Sequence, residues 1–442
     1  MATIIKVLNK NDERFAVKSG GHNPNAGFSS IINGPLISLK ALNHITYDPK
    51  SKTASIGPGN RWSDVAKVLD AHGVAVASGR VGHVGVGGFL SGGESRVKVT
   101  KLPFLTLSGG LSYLSTQHGW AVNTVVEYEV VLANGDIVTA SAKKNVDLFK
   151  ALKGGGNNFG IATLYRMKAY ETSTIWGGQV VSIGEHLAPA YQSAIRNFTE
   201  SYPDSRAGIT VSAFYNSTSE TVVWASFFFF HGPAPPTSLF SEFFAIESIM
   251  NTWGQTTYYN FISALGNTSI TGESVQILTE TTTLPSAKYS TEVMGSYWDH
   301  FISTSKKYAP SMPDSSFLMT WQPIPKRLAT ASINAGGDVL ALDDKHDRIM
   351  LELNVMTPPV KYDAQANRAS RDLFDGIKKR VDGFVKAGKL ADAYRPLFMN
   401  DANWQQDYFG RVRKEMRKFL KDVKDKYDSK GLFTKRTGGF KL

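Results

Sequence analysis

The chain has 442 residues, is 42% hydrophobic and carries a formal net charge of +11. That length supplies a large core and allows two or three domains, while the absence of cysteine excludes disulfides and thiolate metal sites. No apolar run is long enough to cross a bilayer, and the densest basic stretch, residues 411–421, is not interleaved with the aromatic platforms expected for nucleic-acid binding. We therefore expect no metal, membrane or nucleic-acid partner.

The first predicted strand, at residues 15–17, leads into a loop suited to an anion. The loop reads Lys-Ser-Gly-Gly-His-Asn at residues 18–23. Adjacent Gly20 and Gly21 let consecutive backbone N–H groups turn toward one anion, and His22 brings a nucleophilic imidazole to the same place. On its own, such a loop also fits an ordinary turn with a hydrogen-bonding histidine.

Two further glycine-rich segments follow, at residues 79–88 and 154–160. Neither has the strand, GxGxxG and helix order of a Rossmann unit, and neither ends in the Lys-Ser/Thr pair of a P-loop. Three separate glycine loops on one layered domain indicate a long diphosphate ligand.

The elements around these loops alternate between strands and helices. Short β-rich runs at residues 54–56 and 124–132 flank a predicted helix over residues 61–71, with Ser63 and Asp64 at its start and Gly73 at its end. Beyond residue 173, strands are predicted at 210–214, 220–227 and 348–355, and the segment from Val412 to Val423 has the spacing of an amphipathic helix. These patterns predict an α+β fold.

Six motifs along the chain together resemble the family of berberine bridge enzyme, within the larger group that includes vanillyl-alcohol oxidase. They are the loop from Lys18, IGPGNRWSDV from Ile56, VGVGG from Val84, YEVVLANGDI from Tyr128, LKGGGNNFGI from Leu152 and KYDSKGLF from Lys426. The resemblance implies a fungal-type member with three parts. These are a PCMH-type FAD-binding domain over 1–172, a substrate domain over 173–397 with an antiparallel sheet covered by helices, and a C-terminal segment, 398–442, that returns to the FAD domain.

The resemblance also implies which residues hold FAD. His22 would bond covalently to the flavin, or would only hydrogen-bond a phosphate. Relatives with a second covalent link have a cysteine where this chain has Val81, so a single link is expected. Val84 falls where relatives control the access of oxygen to the flavin, or is simply a core valine. The residues expected to bind FAD are Lys18, Ser19, Gly20, Gly21, His22, Asn23, Val81, Gly82, Val84, Gly85, Gly87, Gly88 and Val125.

Two features depart from the family pattern. Residues 94–109 interrupt a glycine motif that is continuous in relatives, and removing them joins Gly93 to Gly110 in frame. We interpret this segment as a retained intron; the alternative is a genuine insertion loop. Relatives usually also carry a secretory signal and a further strand before this point. The start of this chain is therefore expected to be truncated or to reflect the gene prediction. The cellular location of the protein stays open.

Catalytic residues follow the resemblance least closely. Where many relatives have Asn-Tyr, this chain has Asn400 followed by Asp401, and a tyrosine comes only at Tyr408. Asp401 and Tyr408 are candidate bases, since a carboxylate or phenol near a flavin can take a proton from a substrate hydroxyl; each also fits an ordinary surface or capping residue. Four side chains are candidates either for a substrate platform or for the core: Tyr297, Trp298, Trp321 and Gln322.

The leading interpretation is an FAD-dependent oxidoreductase. It would take a hydride from an alcohol, sugar or secondary-metabolite carbon, with molecular oxygen as the expected acceptor. One alternative is a dehydrogenase of the same fold with another acceptor. The other is an inactive flavin-binding product of the altered gene.

Overall fold

The computed structural model describes residues 1–91, 110–172, 174–266, 273–359 and 361–442. The segment interpreted as a retained intron, 94–109, lies outside these ranges. Two large sheets organise the described chain, one within the first 171 residues and one within residues 175–357. No helix in the described ranges combines the length and apolar character needed to cross a membrane.

The first unit contains eight strands and five α-helices in its described part, with a 3-10 turn at Ala121–Thr124. They are α1 (Ala2–Leu8), β1 (Ala16–Lys18), β2 (Leu36–Ser38), β3 (Ile45–Asp48), β4 (Thr53–Ile56), α2 (Trp62–Asp70), β5 (Val74–Val76), α3 (Val86–Ser91), α4 (Ser115–His118), β6 (Val125–Val131), β7 (Ile137–Ser141), α5 (Val146–Leu152) and β8 (Ile161–Glu171).

The smaller of the two sheets has the order β3-β4-β8-β6-β7, with antiparallel neighbours, and β5 pairs with the end of β8. Helix α2 buries Trp62 and Leu69 completely. The backbone N–H of Arg61 donates to the Asp64 carboxylate (3.1 Å), and Gly73 has φ +65°. The first feature marks the start of the helix and the second follows its end, and both ends lie within one residue of the predicted bounds.

The second unit continues from residue 175, with 3-10 turns at Glu185–Leu187, Ala287–Tyr289 and Ala309–Ser311. Its strands and α-helices are β9 (Ile175–Ile183), α6 (Ala188–Ser201), β10 (Ala207–Asn216), β11 (Val222–Phe230), α7 (Ser241–Phe244), β12 (Met250–Asn251), β13 (Gly254–Thr256), α8 (Tyr258–Gly266), β14 (Ser274–Thr283), α9 (Ser290–Tyr308), β15 (Ser316–Ile324), α10 (Lys326–Asn334), β16 (Arg348–Thr357) and α11 (Asp363–Lys386).

The larger sheet runs β12-β9-β11-β10-β15-β16-β14 through the described residues, and its pairs are antiparallel. Alternate side chains point to two different cores. Trp321 and Leu353 join a core that includes α6, α9 and α11, whereas Leu318 and Met350 join the core of the first unit. An antiparallel sheet often leaves one face in water, but β16 is buried along its whole length. Polar side chains on the inner face are therefore enclosed between the two units.

The C-terminal segment packs back on the first unit. It contains a 3-10 turn at Met399–Asp401 and the helices α12 (Tyr408–Arg411), α13 (Lys414–Tyr427) and α14 (Leu432–Arg436). Phe398, Leu420 and Val423 join the core of the first unit, and the Asn400 side chain donates to the Phe89 carbonyl oxygen (3.1 Å). The 3-10 turn consequently lies at the boundary between the two units.

Candidate active site

The loop after β1 is held by hydrogen bonds to two neighbouring loops. Ser19 Oγ donates to the carbonyl oxygen of Pro58 (2.6 Å) and accepts from the backbone N–H of Gly87 (3.1 Å). Gly21 has φ +70°, a conformation that favours glycine, and a Cβ there would lie 3.0 Å from the Lys18 side chain. The fold of this loop therefore depends on Gly21, and Ser19 joins it to the second glycine loop.

The second glycine loop, residues 79–88, approaches the first at backbone distance. A Cβ on Gly87 would lie 2.9 Å from Ser19 Oγ, so glycine permits the approach. Arg61 also links the two loops, because its guanidinium donates to the carbonyl oxygens of Gly20 (3.3 Å) and His83. The two loops thus form one continuous wall.

His22 and His83 lie side by side in this wall, with ring centroids 4.8 Å apart. Burial, followed by the influence of His83 and Arg61, holds the pKa of His22 well below its usual value. Burial and Arg61 also lower the pKa of His83 to about 4. Both imidazoles are therefore neutral at physiological pH, and a neutral imidazole carries the lone pair that a nucleophile needs.

Two cavities lie beside these loops. One cleft is bordered by Ser19, Gly87 and Gly88, which supply the small residues and backbone that a diphosphate requires. A second cavity is lined in part by Trp120 and Phe398. FAD combines a diphosphate with a flat and largely apolar ring system, so the residues present fit this cofactor.

The other residues expected to bind FAD surround this region. Asn23 is buried, and its Oδ1 accepts from the backbone N–H of Asn25 (2.8 Å). Val125 begins β6 as a buried residue, directly after the turn whose Val122 lines the second cavity. Four further residues lie in the second glycine loop beside the start of α2: Val81, Gly82, Val84 and Gly85.

A polar cluster lies on the inner face of the larger sheet. Arg80 crosses from the second glycine loop to this sheet, where its guanidinium donates to Thr210 Oγ1 (3.0 Å) and to Gln322 Oε1. Gln322 Nε2 in turn donates to Oδ2 of Asp401 (2.9 Å). Side chains from a glycine loop, β10, β15 and the C-terminal segment therefore meet at one point.

Glu352 and Asp401 form a buried acidic pair beside Arg80. Burial raises the pKa of Asp401 to about 7, although Gln322 and Arg80 oppose this rise. Burial, and then the charge of Asp401, raise the pKa of Glu352 well above its usual value. The two carboxyls are therefore linked in their titration, and burial keeps the pair from ionising fully at the pH where free carboxyls do.

Four buried polar atoms of this cluster have no hydrogen-bond partner among the described residues. They are Asp401 Oδ1, Glu352 Oε2, Asn354 Oδ1 and Arg80 Nε. Buried polar groups in proteins are normally hydrogen-bonded, and all four atoms belong to buried side chains of the cluster. The cluster is therefore suited to a polar ligand.

Three of the four platform candidates belong to the core. Tyr297, Trp298 and Trp321 are buried on the side of the sheet covered by helices, and the Trp321 ring lies 5.6 Å from that of Trp224. Because successive residues of β15 point to opposite faces, Gln322 instead faces the polar cluster. The platform interpretation is wrong for the three aromatic side chains.

The two candidate bases occupy different environments. The Tyr408 hydroxyl donates to the carbonyl oxygen of Gly154 (3.1 Å) and lies beside the second cavity, and burial raises its pKa well above the usual value. A phenol with a raised pKa is a poor base near neutral pH. Asp401, in the polar cluster, is the stronger candidate.

Four members of the cluster were not predicted from the sequence: Arg80, Thr210, Glu352 and Asn354. A signal for two of them was present, because Glu352 and Asn354 stand two residues apart in an otherwise apolar strand and so must share one face. No comparable signal marks Arg80, whose partners are 130 and 242 positions away along the chain.

Comparisons with known proteins agree with this geometry. Residues 1–102 match the model of a family described as an FAD binding domain. An uncharacterized FAD-linked oxidoreductase of Arthroderma benhamiae is 36% identical over 431 residues, which cover 97% of this chain and 82% of that relative. The FAD-dependent monooxygenase prx3 of Penicillium roqueforti is 32% identical over 457 residues, which cover 99% of this chain and 83% of that relative. Berberine bridge enzyme from Eschscholzia californica has a similar fold, with a TM-score of 0.70 at 15% identity. The match covers 100% of this chain and 88% of that structure.

The glycine loops, the enclosed polar cluster and these matches define an FAD-dependent oxidoreductase. The chain belongs to the FAD-linked oxidoreductases, shares the fold of berberine bridge enzyme, and binds FAD. Its α+β fold, with an antiparallel sheet covered by helices, is the one that the resemblance implied.

Proposed function

We propose that the enzyme oxidises a small molecule that bears a hydroxyl group, namely an alcohol, a sugar or a secondary metabolite, and that molecular oxygen is the final acceptor. Asp401 acts as the base that removes the hydroxyl proton. His22 holds FAD through a covalent bond.

The observation that carries this proposal is the state of the Asp401 side chain. Its Oδ1 is buried and has no hydrogen-bond partner among the described residues, while its Oδ2 is engaged by Gln322. A pKa raised to about 7 by burial puts this carboxyl in the range where a general base works best at neutral pH. A substrate hydroxyl placed against Oδ1 would satisfy the orphaned atom and lose its proton to it.

Neighbouring residues support the base in this role. Bound FAD supplies the acceptor for the hydride that leaves the substrate carbon. Arg80 offsets the negative charge of ionised Asp401 without taking its proton, because a guanidinium remains protonated. Glu352, protonated at neutral pH, can donate a hydrogen bond from its carboxyl group to a second polar atom of the substrate. The covered sheet face keeps bulk water away from these groups.

The covalent link rests on the surroundings of His22. The side chain ends a loop whose Gly21 and Ser19 are fixed by close contacts, and its lowered pKa keeps the imidazole neutral and nucleophilic. The chain contains no cysteine that could provide a different link. Such a bond to the flavin would favour oxidation of an unactivated C–H bond by raising the reduction potential of the cofactor.

A substrate panel tests the proposed reaction. Purified holoenzyme is mixed anaerobically with primary alcohols, mono- and oligosaccharides, benzylic alcohols and phenols, and loss of the absorbance of oxidised flavin is recorded. At least one hydroxylated class should bleach the flavin, and air should restore its colour with release of hydrogen peroxide. Bleaching without reoxidation in air would contradict the oxygen step, and a product that gains one oxygen atom would indicate a monooxygenase.

A further inference from the structure

We propose that Gln322, itself oriented by Arg80, is a positioning residue that makes Oδ1 of Asp401 the proton-accepting atom. This inference rests on the proposed function of Asp401 as base. Gln322 and Arg80, which do not react themselves, would determine which carboxylate oxygen of Asp401 accepts the proton.

The first step is the position of Arg80. This side chain is 4% exposed, and its guanidinium donates to Thr210 Oγ1 on β10 and to Gln322 Oε1 on β15. Two acceptors on adjacent strands fix a planar donor group more firmly than one. The guanidinium is therefore anchored to the sheet.

The second step is the orientation of the Gln322 amide. A guanidinium has hydrogen-bond donors and no acceptor, so the atom of Gln322 that faces Arg80 must be the amide oxygen. The NH₂ group must then point the other way, toward Oδ2 of Asp401 at 2.9 Å. Arg80 thus fixes the direction of the amide without touching Asp401 by a hydrogen bond.

The third step concerns the two oxygens of Asp401. Oδ2 accepts the hydrogen bond from Gln322, which stabilises the carboxylate form, whereas Oδ1 has no partner among the described residues. A proton from a substrate therefore meets Oδ1. Without Gln322 the two oxygens would become equivalent, and the carboxylate would lose its only hydrogen-bond donor within the described residues.

Several charged or titratable groups face this carboxyl. Arg80 approaches from the second glycine loop and Glu352 from β16, and both interact electrostatically with Asp401. Tyr113 and Tyr202 in turn interact with Arg80, and burial raises the pKa of each of these phenols. Both phenols are neutral near pH 7, so Arg80 and Glu352 are the neighbouring groups that act electrostatically on Asp401 there.

The test follows the protonation of Asp401 directly, in holoenzyme labelled with ¹³C at the aspartate carboxyl carbons. Asp401→Asn identifies the resonance by its loss. Gln322→Leu removes the donor, and Gln322→Glu keeps an acceptor for Arg80 but turns a carboxylate toward Asp401. Ser212→Ala is the matched control, because Ser212 bonds to Thr320 (2.8 Å) on the same face of the same two strands.

We expect Gln322→Leu to raise the pKa of Asp401 by about one unit, because a charge-assisted hydrogen bond is lost. Gln322→Glu should raise the pKa of Asp401 further, and Ser212→Ala should leave it unchanged. A substrate found in the panel should then be oxidised more slowly by Gln322→Leu below pH 7 and at nearly the wild-type rate at high pH, whereas a merely structural defect would persist at every pH. An unchanged Asp401 titration in both Gln322 variants would overturn the inference. Full activity of Asp401→Asn would instead overturn the proposed function.

Discussion

The side chain of Asn25, three residues beyond His22, accepts a hydrogen bond from the backbone N–H of Trp404 (2.9 Å). The same side chain donates to the carbonyl oxygen of Ala402 (2.9 Å). Asn25 and Ala402 are buried whereas Trp404 is exposed, so the bond to Ala402 is the better shielded from water. The loop that carries His22 therefore also holds the backbone that follows Asp401.

Replacing Asn25 tests this connection. Asn25→Ala should lower the free energy of unfolding by about 1–3 kcal/mol, because the buried Ala402 carbonyl and the partly buried Trp404 N–H lose their partner, and should slow anaerobic flavin reduction by displacing Asp401. Asn25→Asp, which keeps the acceptor for Trp404, should be affected less. Denaturant unfolding and stopped-flow absorbance measure the two effects. Unchanged stability and unchanged reduction in Asn25→Ala would show that the contact has no such role.

Much of the cofactor region could be predicted from the sequence, because its determinants are local. Gly20, Gly21 and His22 are adjacent in the chain. The positive φ at Gly21 and the close backbone approach at Gly87 both favour glycine, so each is visible in the sequence as a glycine. The strands were also predictable from runs of β-branched and aromatic residues. Short-range rules therefore sufficed for these parts.

The substrate face could not be predicted in the same way. Period-two spacing groups Glu352 with Asn354, but it does not say which face of the sheet meets the first unit. The same spacing separates Trp321 from Gln322, yet either could have faced the site until the partner strands were known. The contacts of Arg80 depend on the packing of one unit against the other, for which no local pattern exists.

A covalent flavin is expected to depend on His22 alone. His22→Ala should release its flavin on acid precipitation, whereas wild-type protein should retain flavin fluorescence after denaturing electrophoresis. His83→Ala is the control, since that imidazole lies 4.8 Å from His22 but does not end the first glycine loop. Free release of flavin from the wild-type protein would disprove the covalent bond while leaving the diphosphate cleft intact.

Removal of residues 94–109 is expected to strengthen flavin binding. Leu90 and Gly110, on either side of this segment, line the same cavity, so joining Gly93 to Gly110 should restore a continuous glycine turn. The shortened protein should hold more flavin per chain and melt at a higher temperature, since a tightly bound ligand stabilises a fold by a few kcal/mol. Less flavin after deletion would show that the segment belongs to the site, and transcript sequencing would show independently whether it is an intron.

The acidic pair should titrate asymmetrically. With Asp401 as the base, Glu352 keeps its proton when Asp401 ionises, so Glu352→Gln should leave the pKa of Asp401 close to its wild-type value. Asp401→Asn should lower the pKa of Glu352, since it removes a nearby negative charge. Carboxyl ¹³C resonances report both values. A large fall in the pKa of Asp401 in Glu352→Gln would mean that Glu352 carries the charge and is the base.

The most direct test of the catalytic account is the rate of anaerobic flavin reduction in wild-type protein and in Asp401→Asn, measured at pH 8 with the most active compound of the substrate panel. The direction of the pH effect and the size of the rate decrease both follow from the role of Asp401 as a base. The base works in its deprotonated form, so wild-type reduction should slow as the pH falls through about 7, and loss of a general base costs about 10²–10⁴-fold. We predict a decrease of that size in Asp401→Asn with unchanged flavin content. Equal rates in the two proteins would contradict the assignment of Asp401 as the base.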